Sequence, residues 1–336
     1  MNKPPFEIND NMINLVAEIN KKIGYLEASL DRKKDLYLRK ASKIKSVNSS
    51  CAIEANPLTE KEVESIINGK RVIALPEEII EVKNAYEAYL QISTYKPYDV
   101  KSFLIAHKQL MTDLIRDSGK FRAGDVAVYE DGIPIHIGAR PEFVHDLVAD
   151  LFGWANSSNL NSLIKACVVH YEIETIHPFS DGNGRIGRLW QSVILYHYNP
   201  LFELIPIETL VYENQKEYYG AIESSRKIND SAPFIEYMLE MISKTIDSFH
   251  VSIKAIIQIK DEYLKGLTKN DKEILQVIVH SYTIEDYITA ENLSTKINKS
   301  LSSIRVYFRK LTENRLLIAT GVNKGRKYRI NEEILQ

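Results

Sequence analysis

His177-Pro178-Phe179-Ser180-Asp181-Gly182-Asn183-Gly184-Arg185-Ile186-Gly187-Arg188 is the stretch whose reading decides the rest of the chain. It gathers an imidazole, a carboxylate, a glycine-lined turn and two guanidinium groups. Gly182-Asn183-Gly184 does not suit a regular element, because glycine accepts positive φ and lets successive backbone N–H groups turn toward one point, where an anion fits. The run from Arg185 to Tyr198 reads as a helix, so its free N-terminal amides and positive dipole end face the same point. Arg185 and Arg188 stand at i and i+3 on one face and can fork onto neighbouring phosphate oxygens. Asp181 is a hard oxygen ligand of the kind Mg²⁺ takes alongside substrate phosphates. His177, just ahead of the loop, can remove a proton from a hydroxyl near neutral pH. No Gly-x-x-x-x-Gly-Lys-Ser/Thr run occurs, which excludes a Walker A loop.

Upstream, residues 160–176 read as a strongly apolar helix containing Cys167 and His170. The His-Glu-x-x-His spacing of zinc hydrolases is absent, and His170 reads as a core histidine. The one β signal of the body is Val126 to Ile137, where Asp131-Gly132 lies between alternating apolar positions. Pro134 cannot donate to a ladder, so this hairpin should keep an exposed edge that can accept another chain by strand addition. Helices are expected from Asp99 to Ile115, from Pro76 toward Thr94 and from Thr59 to Asn68. His107 falls on a periodic apolar face and reads as packed.

Residues 8–46 read as helical, with Ile13, Val16, Ile19, Ile23 and Leu26 at helical spacing. Next comes Ser49-Ser50-Cys51-Ala52-Ile53-Glu54-Ala55-Asn56-Pro57. Here Glu54 ends a short apolar turn, Asn56 can adopt a left-handed cap, and Pro57 stops further helix. A carboxylate at a helix C-terminus meets negative dipole character, so an arginine partner is expected. Downstream of the motif, a helix over 211–227 carries Tyr212, Tyr218 and Tyr219, and Asp230 to Pro233 opens a long helix.

The composition is that of ordinary soluble globular protein: 336 residues, 44% hydrophobic and 26% charged. Two cysteines, Cys51 and Cys167, are too few for a disulfide framework and fit a reducing cytoplasm. No signal peptide and no membrane span are expected. The net charge of -2 conceals an asymmetry, since residues 265–336 hold 13 Lys+Arg against 8 Asp+Glu. In that basic tail, helices over 271–280, 290–297 and 300–314 precede two short strands around Asn323-Lys324-Gly325, a pattern that resembles a winged helix-turn-helix. Ser302, Ser303, Arg305 and Arg309 would lie on or near the open face of its third helix. Such a module can dock DNA or a protein.

The central stretch resembles the signature of the Fic family, His-Pro-Phe-x-Asp/Glu-Gly-Asn-Gly-Arg-x-x-Arg, and every fixed position matches. Gly119-Lys120-Phe121-Arg122 is similar to the family's approach to a hairpin flap. Ser50 and Glu54 stand in register with the family's inhibitory motif, Ser/Thr-x-x-x-Glu-Gly/Asn, although Ala55 replaces its last residue. The resemblance implies a mainly α protein: a Fic-fold helical body with a small β-hairpin flap, plus a C-terminal winged helix-turn-helix domain. The expected divisions are 1–95 with the inhibitory motif, 96–264 catalytic, and 265–336 winged helix. It further implies AMP transfer from ATP, with Mg²⁺ on Asp181, to Ser, Thr or Tyr hydroxyls of a target protein held on the flap at 126–137. His177 would be the base. Gly182, Asn183, Gly184, Arg185 and Arg188 would hold the nucleotide, and Tyr219, chosen over Tyr218, would lie near the adenine. Glu54 would pair with Arg188 in the γ-phosphate space, and in some relatives the same glutamate supports AMP removal. Transfer of another phosphate-linked group, a DNA-binding regulator with the Fic body as nucleotide sensor, and a homodimer are the other readings kept open.

Overall fold

The computed structural model describes residues 3–29, 35–130, 133–261, 267–281, 287–297, 299–321 and 326–331. The chain forms two compact units, Met1–Ile246 and Asp247–Gln336, and is mostly helical. Helices α1 (Asp10–Ser29) and α2 (Asp35–Ile53) occupy the stretch that reads as helical over 8–46, and residues 30–34 between them lie outside the described residues. The buried stripe of α1 is formed by Met12, Ile19, Ile23 and Leu26. Ser49 to Ile53 form the last turn of α2, so Glu54 stands at a helix C-terminus, as the sequence indicates.

Thr59 and Glu62 form a reciprocal capping box that starts α3 (Glu60–Ile67), and Pro76 opens α4 (Pro76–Leu90). Asp99 caps α5 (Val100–Met111). That helix stops four residues short of the expected Ile115, because Asp113 takes φ 63. Strands β1 (Ala127–Glu130) and β2 (Ile133–Ile137) pair antiparallel as expected, with Tyr129 opposite Pro134 and a register shift beside it. The Asp131-Gly132 turn lies outside the described residues. Helix α6 (Pro141–Ser157) is absent from the sequence reading, although Pro141 and the spaced Val144, Val148, Leu151 and Ala155 mark it.

At the heart of the first unit, α7 (Ser162–Ile176) packs along α8 (Asn183–Tyr198). Apolar residues surround α7 on every side, and it is buried from Leu163 through Tyr171, as a core helix must be. The buried Trp190 ring of α8 lies 5.0 Å from Phe103 and 5.8 Å from Phe152; each such ring contributes about 1.5–3 kcal/mol through burial. Beyond a 3₁₀ turn at Pro200–Leu204, helices α9 (Ile207–Glu213) and α10 (Gln215–Ile228) stand where one was expected. Asn214 separates them, its side-chain amide donating to the Leu210 carbonyl at 2.8 Å. Helix α11 spans Ala232–Asp261.

The second unit holds α12 (Lys269–Ser281), α13 (Ala290–Ile297), α14 (Leu301–Glu313) and the antiparallel pair β3 (Leu317–Thr320) and β4 (Lys327–Ile330). Ile278, Leu293, Ile304, Phe308, Leu311 and Leu316 form its core, and Ile288 bridges to Tyr328. The order of helices and hairpin follows the sequence expectation; Asn323-Lys324-Gly325 lies outside the described residues.

Candidate active site

Helix α7 ends on His177, whose backbone is left-handed at φ 52 and ψ 61 while its N–H still bonds to the Ile173 carbonyl. A non-glycine residue in that region costs about 1–2 kcal/mol, so something must hold it. Arg122 does so. Its Nε donates to the His177 carbonyl at 2.7 Å, and its Nη atoms donate to the carbonyls of Gly124, Ala139 and Ile176. The His177 ring has a buried Nδ1 with no hydrogen-bond partner among the described residues. Burial drives its pKa down to about 4. That lies below the near-neutral value expected from the sequence, and it leaves the imidazole unprotonated and able to accept a proton at pH 7.

The loop that follows is braced from within. Phe179 is fully buried and stacks on the His107 ring at 3.5 Å. His107 is packed, as its periodic face indicated, and it also fixes the loop: Nδ1 accepts from Gly119 N–H and Nε2 donates to the Asp181 carbonyl, each at 2.9 Å. The Asn183 side chain makes two 2.9 Å bonds to the backbone of Phe179. Its amide is thus a strut, and what it offers an anion is its backbone N–H. Gly182 sits at φ 81, and a Cβ there would come within 2.6 Å of Met111 Sδ. The first helical bond of α8 runs from Ile186 N–H to the Gly182 carbonyl, so the amides of Asn183, Gly184 and Arg185 have no acceptor within the helix.

A carboxylate already stands over these amides. A Cβ on Gly184 would collide with Glu54 Oε1, and the same oxygen accepts from Arg188 Nη2 at 2.8 Å. Arg188 is buried and also donates to Ser50, through Nε to Oγ at 3.1 Å and through Nη2 to the carbonyl at 3.0 Å. Burial works against its charge, but Glu54 and neighbouring acids more than offset this and raise its pKa. Arg185 pairs with two carboxylates, Glu81 Oε1 at 2.5 Å and Asp181 Oδ1 at 3.1 Å. The Asp181 side chain is 58% exposed, and no group of three His, Cys, Asp or Glu suited to a metal occurs among the described residues. One exposed carboxylate beside anion-facing amides fits Mg²⁺, which retains waters and takes substrate phosphates as ligands, better than it fits an all-protein cage.

The left-handed cap expected at Asn56 falls instead on Ala55, at φ 65. Asn56 is engaged elsewhere: Oδ1 accepts from Leu58 N–H, and Nδ2 donates to Glu81 Oε2 at 2.7 Å. Relieving the Ala55 strain by Ala55→Gly is expected to stabilise the protein by about 1 kcal/mol once the greater freedom of unfolded glycine is counted. The thermal midpoint should rise by about 2–4 °C, and a fall would show that the cap is not strained.

Tyr218 and Tyr219 separate clearly. Tyr218 is buried, its hydroxyl 3.0 Å from His170 Nε2, while His170 Nδ1 meets Gln191 Oε1 at 2.6 Å. Both are core residues, and Tyr219 is half exposed. Sequence reasoning named Arg122 only within the Gly119–Arg122 run ahead of the hairpin, without its bracing role, and gave no role to Glu81 or Glu174. Glu174 lies a turn before His177, with a buried Oε1 that has no hydrogen-bond partner among the described residues; burial pushes its pKa up to about 7 while Arg188 pulls the other way. Glu81 and Glu174, single charged residues outside a motif, carry no periodic signal, and only the fold brings them and Arg122 to the loop.

Residues 97–195 match the family model described as Fic/DOC family. The chain is 22% identical over 258 residues to the protein adenylyltransferase fic-1 of Caenorhabditis briggsae, covering 74% of this chain and 48% of that protein. It is 28% identical over 247 residues to the protein adenylyltransferase Fic of Drosophila melanogaster, covering 66% and 47%. The chain thus spans about half the length of the curated relatives it matches. A crystal structure of a Fic family protein from Desulfovibrio desulfuricans G20 superposes with a TM-score of 0.72 at 29% identity, covering 98% of both chains. Motif, helical body and these likenesses agree, and the segment 97–195 is a match to the Fic/DOC family model.

Proposed function

We propose that this protein is an adenylyltransferase that moves AMP from ATP to a Ser, Thr or Tyr hydroxyl of a target protein, and that Glu54 holds it back. The observation that carries the reading is the single loop on which an unprotonated His177, free helix amides, Asp181 and two arginines converge. The acceptor oxygen attacks the α-phosphorus while its proton passes to His177. The bond from that phosphorus to the bridging oxygen breaks, and pyrophosphate leaves toward Arg185 and Arg188. Amides at Asn183 and Gly184 face the α-phosphate, and positioning with charge stabilisation supplies most of the acceleration. Mg²⁺ held by Asp181 would neutralise phosphate charge. The target segment adds to the edge of the β1–β2 hairpin, where Ile137 is exposed, and Tyr219 borders the adenine. Both cysteines are buried free thiols, and we assign the reaction to the cytoplasm; among the described residues no helix is long and apolar enough to cross a membrane.

Intact mass measurement after incubation with Mg²⁺ and ATP tests this. One added AMP is expected on Glu54→Gly protein or on a lysate protein, and none once His177→Ala is combined with it. Absence of AMP from every protein, with labelled ATP and lysate included, would overturn the reading in favour of another nucleotide donor.

A second reading concerns the second unit. Helix α14 buries Ile304, Phe308 and Leu311 and exposes Ser302, Arg305, Val306 and Arg309 on its opposite face. It starts four residues after α13 ends, with Ser300 as its cap, and Arg326 and Lys327 are exposed beside the hairpin. A helix with that basic face suits the major groove of duplex DNA. Fluorescence anisotropy with a labelled duplex should show salt-sensitive binding by the whole chain. Arg305→Ala with Arg309→Ala should reduce the log–log salt slope by about 2, and an unchanged slope would refute DNA docking on this face.

A further inference from the structure

Glu81 of α4 joins the two halves of the nucleotide lock. Oε1 accepts from Arg185 Nη1 at 2.5 Å, and Oε2 accepts from Asn56 Nδ2 at 2.7 Å. Both members of the ion pair are nearly sequestered, with side-chain exposures of 12% for Glu81 and 10% for Arg185. Asn56 is two residues beyond Glu54 and its N–H bonds to the Cys51 carbonyl, so it belongs to the terminal turn of α2 that aims Glu54 at Arg188. One carboxylate therefore grips the first arginine of the motif and, through Asn56, the helix end that blocks the second.

We propose that Glu81 is a second latch on the nucleotide site, a positioning residue that keeps Arg185 from phosphate and keeps the α2 terminus seated. This rests on the reading of the loop as an ATP site. A guanidinium in a buried pair with a carboxylate gives up one charge-assisted bond before it can accept a phosphate oxygen. Asp181 does not substitute for Glu81, because its carboxylate is 58% exposed and 3.1 Å from Arg185 Nη2, whereas Glu81 is nearly sequestered and also holds Asn56. Two latches on two arginines make the blocked state harder to leave than the Glu54 contact alone. The link through Asn56 also makes them release together.

Isothermal titration with Mg-ATP measures this without turnover. Glu81→Gln keeps the shape and removes the charge, and it is expected to tighten ATP at least fivefold over the parent. Asn56→Ala, which leaves the Glu81–Arg185 pair in place, should tighten ATP about threefold by loosening the α2 end. Glu54→Gly serves as the reference. Should Glu54→Gly fail to bind ATP, the nucleotide reading itself falls. If Glu54→Gly binds while Glu81→Gln and Asn56→Ala match the parent or bind more weakly, the second latch is refuted. Thermal midpoints of all the proteins show whether Glu81→Gln remains folded, and Asn56→Ala keeps the test decisive if it does not.

Discussion

Replacing Glu54 by glycine is expected to raise AMP transfer by about ten- to a hundredfold over the parent. The estimate follows from what must be given up before ATP can bind. Glu54 Oε1 holds Arg188 Nη2 at 2.8 Å and stands against Gly184, so under the proposed function the γ-phosphate and this carboxylate compete for one guanidinium. A hydrogen bond to a charged group contributes about 1.5–3 kcal/mol, and every 1.4 kcal/mol is a factor of ten in affinity. Glycine also relaxes the last turn of α2, where Ala55 already sits in a left-handed conformation. Arg188 keeps its two bonds to Ser50 in this variant, so it stays positioned while its fork is exposed to the ligand. The measurement is initial-rate incorporation of labelled AMP at fixed Mg-ATP, together with the ATP dissociation constant. A Glu54→Gly protein that transfers no faster and binds no tighter than the parent would show that the carboxylate is a bystander. Glu54→Gln separates charge from volume, because it keeps the bulk over Gly184 and loses the ion pair. An increase smaller than that of glycine is expected there.

Much of this site is legible in the sequence because its chemistry is local. A histidine, an acid, two glycines and two arginines within one turn of chain need no tertiary information to be placed near one another, and the helix after Gly182 supplies the amides by its own geometry. The arginine partner of Glu54 was also expected, first from the adverse helix dipole and then from the family signature. Geometry set by neighbours was not legible. Asn56 is the better left-handed residue by intrinsic preference, yet Glu81 and Leu58 claim its side chain and the cap passes to Ala55. The split at Asn214 and the end of α5 at Met111 have the same origin, since apolar periodicity continues past both while a single residue takes a non-helical conformation. His177 shows the limit for chemistry. Its identity marks a base, but its shift to about 4 comes from burial that only the packed loop creates.

Arg122→Ala is expected to lower AMP transfer at least a hundredfold in the Glu54→Gly background and to destabilise the body by about 3 kcal/mol or more. The buried side chain donates to four carbonyls, two in the motif approach at His177 and Ile176 and two at the base of the hairpin at Gly124 and Ala139. Alanine removes the side-chain donor from the His177, Gly124 and Ala139 carbonyls, while Ile176 keeps the Ala139 N–H, at about 1–3 kcal/mol for each one left unsatisfied that water does not reach. The backbone around the brace is equally tight. Arg122 N–H bonds to the Pro178 carbonyl, Ala139 N–H to that of Ile176, and a Cβ on Gly138 would come within 2.9 Å of Arg122 Nη2 and 3.2 Å of His177 Cβ. His177 and the base of the hairpin are therefore positioned by one guanidinium, and a misplacement of about 1 Å between reacting groups costs on the order of a hundredfold in rate. Lysine distinguishes charge from geometry, because it supplies a cation without a planar fork. Arg122→Lys should recover part of the lost stability yet leave transfer low. If Arg122→Lys restores transfer in full, or Arg122→Ala transfers normally while folded, the brace has no part in placing His177. A low rate with an unchanged ATP dissociation constant is the expected signature, since the nucleotide loop beyond Phe179 is held separately by Asn183 and His107.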